Sequence, residues 1–411
     1  WFTAKLESLL ISMPKALFFN IPATGHVNPS LPPTKELLAR GEDLLYFNVE
    51  AYRPKIEDAG IPFIPYPVDV NFDSHDGGNP IMAMAHIAEY GERLLPPLLE
   101  IARAQRPDYV IYDSMTPWGK HIAALLGVPA ICSCAILLVH SRNARVIPRD
   151  LLVRQMRMAG WDKSFAALWR YGQIHRRLRR HYGVGLPFFP NFFANPGDMT
   201  LVYTSRLFQP GGDLLDDSFR FVGPSIAPRP HDSDFPFGHL DGGPVIYVSL
   251  GTIFNNRPDF FRACIAAFGD THYRVILSVG NTLDIAALGA IPENVRVRRS
   301  VPQLEVLERT DLFLTHGGMN STGESLWYAV PMLVFPQIGD QFFVAHRVRE
   351  LGAGIQLHPE RFNPDYLRAQ AERVLADASY RKNARRAQES LRAAGGYVTA
   401  ADEVLRFVGR Q

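Results

Sequence analysis

Residues 315–325, THGGMNSTGES, bring a histidine, paired glycines and several hydroxyl and amide side chains into one short stretch. The apolar run Asp311-Leu-Phe-Leu-Thr before it reads as a buried strand, Glu324-Ser-Leu-Trp-Tyr-Ala after it as a helix, and Pro331-Met-Leu-Val-Phe-Pro as the next strand. This order predicts a parallel β–α–β unit whose loop lies at the carboxyl end of a sheet, where such folds bind ligands. Unpaired N–H groups and partial positive charge at a helix start favour anions. Gly317 and Gly318 let the backbone come close, Asn320 and Ser321 add polar groups, and His316 at the strand tip can donate to a phosphate oxygen. A diphosphate would satisfy all of these together. Ser321-Thr-Gly-Glu324 also has the S-x-x-E spacing of a capping box, which would explain Ser321 and Glu324 but not His316-Gly-Gly-Met-Asn320.

The elements that must hold such a loop recur along the chain. In the first half, residues 15–21, 43–49, 61–66, 108–112, 128–134 and 200–204 read as strands alternating with helical runs. From about Phe221 the rhythm restarts, with strands expected at 245–250, 273–279, 294–298, 311–315, 332–335 and 354–357. A chain of 411 residues that is 47% hydrophobic can bury the cores of two or three domains. The expected fold class is α/β, with two doubly wound, Rossmann-like domains facing a central cleft. The expected domains are 13–208 and 244–379, joined by a Gly-, Pro- and Asp-rich linker at 209–243. Helices at 380–411 are expected to pack back on the first domain. Met13 reads as the natural start, and residues 1–12 as an upstream or non-native extension.

Lys+Arg 43 against Asp+Glu 41 is nearly balanced, so global charge nominates neither nucleic acid nor an anionic membrane as a partner. Three cysteines, two of them in Cys132-Ser-Cys134, make neither a disulfide framework nor a zinc site. Reduced thiols in a cytoplasmic protein are the plain reading. No apolar run reaches the roughly 18 residues of a membrane helix, so no transmembrane segment is expected, while peripheral membrane contact stays open.

Residues 136–195 differ in character. Ten arginines face two acids, Asp150 and Asp162, and nine aromatic residues are interspersed. The simpler expectation is amphipathic helices with a solvated basic face. The sharper one is a substrate wall in which aromatics, with Met82-Ala-Met84, line an apolar pocket.

Val301-Pro-Gln-Leu-Glu-Val-Leu, Thr315-His-Gly-Gly-Met-Asn-Ser, Glu324, Val330-Pro-Met and Pro336-Gln-Ile-Gly-Asp-Gln341 occur in order over about forty residues. Together they resemble the donor-binding signature of family 1 UDP-glycosyltransferases, above all the bacterial macrolide and natural-product branch. Gly25-His-Val-Asn-Pro-Ser is similar to that branch's acceptor-side signature, and the likeness runs from Met13 to the end. It implies the GT-B arrangement of two domains. It also implies that His316 and the backbone at Gly318, Met319 and Asn320, with Ser321 and Thr252, hold the diphosphate. Glu324 would accept from the ribose, Asp340 and Gln341 would read the sugar hydroxyls, and Val301 and Gln303 would lie beside the base. Ser300 stands where the family often has an aromatic residue stacked on uracil, which weakens the inference of a uracil site.

An acceptor hydroxyl needs a base. His26 is expected in a glycine-preceded loop after the first strand, and imidazole titrates near neutrality. Asp113, ending the strand Asp108-Tyr-Val-Ile-Tyr, is the position from which a carboxylate would orient that histidine. The implied reaction is inverting transfer of a hexose, glucose first, from a UDP-sugar to a hydroxyl of a hydrophobic small molecule such as a macrolide, polyketide or phenol. No cofactor is expected beyond the UDP-sugar co-substrate, and no metal. Asp232-Ser-Asp234 matches the D-x-D of metal-dependent glycosyltransferases, but it sits in the linker with no strand before it. A UDP-sugar epimerase of the same fold, or a non-catalytic nucleotide-sugar binder, remains an alternative at this level. The first would turn over donor without acceptor, and the second would have no use for His26 and Asp113.

Overall fold

The computed structural model describes residues 15–70, 79–148, 161–188, 190–229, 235–252 and 254–409. Residues 1–12, Met13 and the Asp232/Asp234 pair lie outside these. The first sheet comprises β1 (Lys15–Phe19), β2 (Asp43–Asn48), β3 (Phe63–Pro65), β4 (Tyr109–Asp113), β5 (Ala130–Cys134), β6 (Met199–Val202) and β7 (Phe219–Phe221). Its order is β3-β2-β1-β4-β5-β6-β7. The second comprises β8 (Val245–Ser249), β9 (Arg274–Ser278), β10 (Val295–Arg298), β11 (Leu312–Thr315), β12 (Met332–Val334) and β13 (Gly354–Gln356), ordered β10-β9-β8-β11-β12-β13. All pairings in both are parallel. Helices cover both faces, which is why the inner strands are continuous apolar runs with no polar alternation. LFLT in β11 is buried throughout.

The described helices are α1 (Thr24–Ala39), α2 (Arg53–Asp58), α3 (Pro80–Gln105), α4 (Pro117–Leu126), α5 (Trp161–Tyr182) and α6 (Pro258–Phe268), then α7 (Gln303–Glu308), α8 (Met319–Trp327), α9 (Gln341–Glu350), α10 (Pro364–Ala376), α11 (Ala378–Ala393) and α12 (Gly396–Phe407). None is long and apolar enough to cross a membrane.

Two boundaries differ from the sequence reading. The stretch read as linker from 209 contains β7, which adds a seventh strand to the first sheet through Thr200–Phe219 and Val202–Phe221 pairing. Within the C-terminal stretch, α11 stays with the second domain, where Ala384, Ala387 and Leu391 join its core. Only α12 returns to the first domain, burying Ala400, Ala401 and Val404 beside Ala16, Phe18 and Ile131. The crossing is made at Gly395 and Gly396, both with positive φ, a conformation costly for other residues. There the Gly396 N–H donates to the Val222 carbonyl at 2.6 Å.

Candidate active site

Each sheet reverses its strand order once, between β1 and β4 and between β8 and β11, and the crevice at such a switch point is where doubly wound folds bind. In the first domain Phe19 registers with Tyr112, so the chain leaving β1 emerges beside Asp113. His26 lies in the first turn of α1 and not in a loop as expected, because the helix already starts at Thr24. Its Nδ1 is 2.8 Å from Asp113 Oδ2, and the other carboxylate oxygen accepts the Met115 N–H at 2.8 Å. Asp113 is fully buried. A carboxylate can only accept, so Nδ1 carries the proton and Nε2 keeps its lone pair for a substrate. Asp113 thus closes the turn before α4 and orients the ring at once.

Burial is the largest influence on the His26 ring and opposes its charged form. The Asp113 charge and hydrogen bond, aided by Asp340 across the cleft, outweigh it and raise His26 above the ordinary 6.5. A buried polar cluster supports the helix start from below. The Asn20 amide donates to Tyr46 Oη at 2.6 Å and to Ser30 Oγ at 3.0 Å, and the Tyr66 hydroxyl donates to the Asn20 carbonyl at 2.8 Å.

In the second domain Thr315 pairs with both Ser249 and Val334, so the segments after β8, β11 and β12 converge. α8 begins at Met319 with Gly318 as its N-cap and no side-chain cap. The capping-box reading of Ser321 and Glu324 is therefore corrected. Ser321 sits inside the helix, and the N–H groups at its start are left for a ligand. The His316 ring is held between glycines: a Cβ on Gly251 would fall 2.6 Å from Cε1, and one on Gly318 2.5 Å from Nε2. Burial pushes His316 down to about 4, with the Ser249 backbone opposing only weakly, and its buried Nδ1 has no hydrogen bond of good geometry. At neutral pH the ring is uncharged and can donate from one nitrogen.

Glu324 is buried in the middle of a chain of polar contacts. The Tyr247 hydroxyl donates to Gln303 Oε1 at 2.9 Å, and the Gln303 amide donates to Glu324 Oε2 at 2.5 Å. Arg229 donates to Glu324 Oε1. Arg229, which follows β7 on the way to the second domain, was invisible to sequence reasoning, as was Tyr247. Asn320 donates from Nδ2 to the Gly25 carbonyl at 2.8 Å, tying the second domain's loop to the residue before His26. Asp340 precedes α9 without a well-formed capping bond and opens to solvent, yet desolvation raises its carboxyl above the ordinary range, with His26 opposing. Gln341 is buried, and its amide oxygen accepts from the Gln337 and Ile338 N–H groups at 2.8 and 3.3 Å. Thr252 and Ser300 are exposed and Val301 is half-buried; Ser300 puts no ring where a base would stack.

A family model described as erythromycin biosynthesis protein CIII-like, C-terminal domain, matches residues 262–396. An uncharacterized UDP-glucosyltransferase of Bacillus subtilis, YojK, is 34% identical over 404 residues, covering 96% of this chain and 98% of the relative. The demethyllactenocin mycarosyltransferase of Streptomyces fradiae is also 34% identical, covering 94% and 85%. The crystal structure of the calicheamicin glycosyltransferase CalG4 matches with a TM-score of 0.81 at 28% identity over 97% and 99% of the two chains. The chain belongs to the family 1 glycosyltransferases. It falls in their natural-product branch and has the GT-B fold.

In this glycosyltransferase the aromatic residues of 136–195 divide between core and solvent. Tyr171 and Phe192 are core residues, while Phe165, Trp169 and Phe188 point into solvent; Phe189 and the Trp161 side chain lie outside the described residues. The simpler expectation is only half met, since the outward face of α5 carries rings as well as arginines.

The electrostatics of His26 give a pH test. If His26 is the base it acts when neutral, so its raised value moves the rising limb of kcat/KM to higher pH. The limb is expected above 6.5 in the wild type. Asp340→Asn removes one raising charge and should shift it down; Asp113→Asn removes a larger one and should shift it further. Profiles between about pH 5 and 9 measure this, and a limb unmoved in Asp340→Asn would detach Asp340 from the ring.

Proposed function

We propose that this glycosyltransferase moves a hexose, glucose first, from a UDP-sugar to a hydroxyl of a hydrophobic small molecule, with inversion and without a metal ion. The observation that carries the reading is the Asn320–Gly25 hydrogen bond of 2.8 Å, which makes the His26–Asp113 pair and the α8 N-terminus neighbours across one cleft. His26 Nε2 takes the proton of the acceptor hydroxyl as its oxygen attacks the anomeric carbon. The bond from that carbon to the UDP oxygen breaks on the opposite face, so an α-linked donor yields a β-glycoside. Asp113 stabilises the imidazolium that forms. The N–H groups opening α8, with neutral His316, meet the charge developing on the departing diphosphate.

Support for glucose comes from the Bacillus relative's name and from Asp340, whose carboxylate can accept from two vicinal hydroxyls. A site built for those hydroxyls rejects donors lacking them, because its polar groups are left unpaired. The test is a panel of phenolic, macrolide, sterol and lipid alcohols with UDP-glucose, in EDTA, against a TDP-deoxyhexose competitor and repeated with Asp340→Ala. Glucosylation of apolar alcohols by the wild type, with UDP-glucose preferred and that preference lost in the variant, is the expected result. Equal use of both donors, transfer only to polysaccharide or peptide, or activity that returns only with Mg²⁺ or Mn²⁺ would each refute the matching part.

A further inference from the structure

α5 packs along α3 and turns Tyr171, Ile174 and Leu178 into the first domain's core. At 3.6 residues per turn, the opposite face presents Phe165, Leu168 and Trp169, then Arg176, Arg179 and Arg180. The three apolar side chains are 76%, 47% and 64% exposed. Phe188, 66% exposed, lies against His175 on the flank of this face with ring centroids 5.0 Å apart. The neighbouring Arg170 and Arg177 are held by Glu89 and Glu92 of α3. Arg176, Arg179 and Arg180 are exposed with no carboxylate partner among the described residues, and Asp162 is the only acidic residue in the helix.

Large apolar side chains on successive turns mark an interaction site more often than a solvated surface. Here the apolar and basic groups share one face but occupy opposite ends of it. We propose that the outward face of α5 docks the enzyme peripherally on anionic lipid surfaces. The rings enter the boundary between headgroups and acyl chains, and the guanidinium groups meet lipid phosphates. Either signal alone anchors weakly, and the two together make a stable contact. A second copy of the chain fits this face poorly. A two-fold contact sets the unpaired arginines either against each other or against the rings, with Asp162 the one carboxylate of each helix against three guanidinium groups.

The test is co-sedimentation of the full chain with vesicles of phosphatidylcholine alone, or of equal parts phosphatidylcholine and phosphatidylglycerol. Salt of roughly 0.1 M leaves a Debye length of about 10 Å. Binding is expected to the mixed vesicles and not to the neutral ones. Each basic residue at an anionic surface contributes about fivefold in partitioning, so Arg176→Gln/Arg179→Gln/Arg180→Gln should lose about a hundredfold. Phe165→Ser/Trp169→Ser should lose about tenfold or more. Both variants should keep the wild-type melting temperature and turnover of a water-soluble acceptor, since these side chains face solvent. No binding of the wild type to mixed vesicles, or equal binding by both variants, overturns the proposal. So does a lipid-free dimer that Trp169→Ser dissociates, which would give the face to a second copy. The sedimentation and dimer readouts do not depend on which donor or acceptor the enzyme uses.

Discussion

Replacing His26 with alanine should cut sugar transfer by roughly 10²–10⁴-fold, the usual cost of losing a positioned general base, while UDP titrates as tightly as to the wild type. The split follows from where the ring sits. It projects from the first turn of α1 with Nδ1 bound to Asp113 at 2.8 Å, whereas the groups assigned to the nucleotide belong to the other domain. Asp113→Asn should keep the fold, because the amide oxygen can still accept the Met115 N–H, but should lose rate by holding the ring in the wrong tautomer. The two residues act as a unit, so the double variant should be no slower than His26→Ala. Wild-type turnover of an ordinary alcohol by His26→Ala would remove the histidine from the mechanism. A collapsed melting temperature in Asp113→Asn would make that carboxylate structural first.

Glu324→Ala carries the second large effect, on the donor side. If the ribose diol binds this buried carboxylate, UDP should weaken by roughly tenfold or more for each charge-assisted hydrogen bond lost. Affinity alone is ambiguous, since removing the carboxylate also strips Gln303 and Arg229 of their acceptor. The deciding readout is discrimination between UDP and 2′-deoxy-UDP. The wild type should prefer the ribonucleotide, and Glu324→Ala should bind both alike. A variant that keeps the preference would show that Glu324 only braces Gln303 and Arg229.

The strands were legible because a parallel strand covered on both faces is a short apolar run ended by Gly, Pro or a polar turn, as in β8 and β11. β7 escaped because Phe219-Arg-Phe is three residues long in a Pro- and Gly-rich stretch, and only pairing with β6 makes it a strand. His26 and Asp113 could be nominated from their types and their places at strand tips; their contact needed the register of β1 on β4. Contacts between distant segments left no local signal. Arg229 on Glu324, Asn320 on Gly25 and the Asn20 cluster each depend on how whole elements settle. α5 shows the limit from another side. Its period was readable, but two stripes were both rich in apolar residues, and packing on α3 decided that Tyr171, Ile174 and Leu178 turn inward.

The chain passes between the two domains twice, once after β7 and once at Gly395 and Gly396, and the passages touch through the Gly396–Val222 hydrogen bond. Two tethers far apart would lock the halves, and a single one would let them tumble. Side by side they form a pivot. A motion that kept this contact would turn the lobes about that spot rather than slide one past the other, and would change the gap between His26 and the α8 N-terminus. The Asn320–Gly25 bond spans that gap, so it is a contact that turning the lobes apart would break.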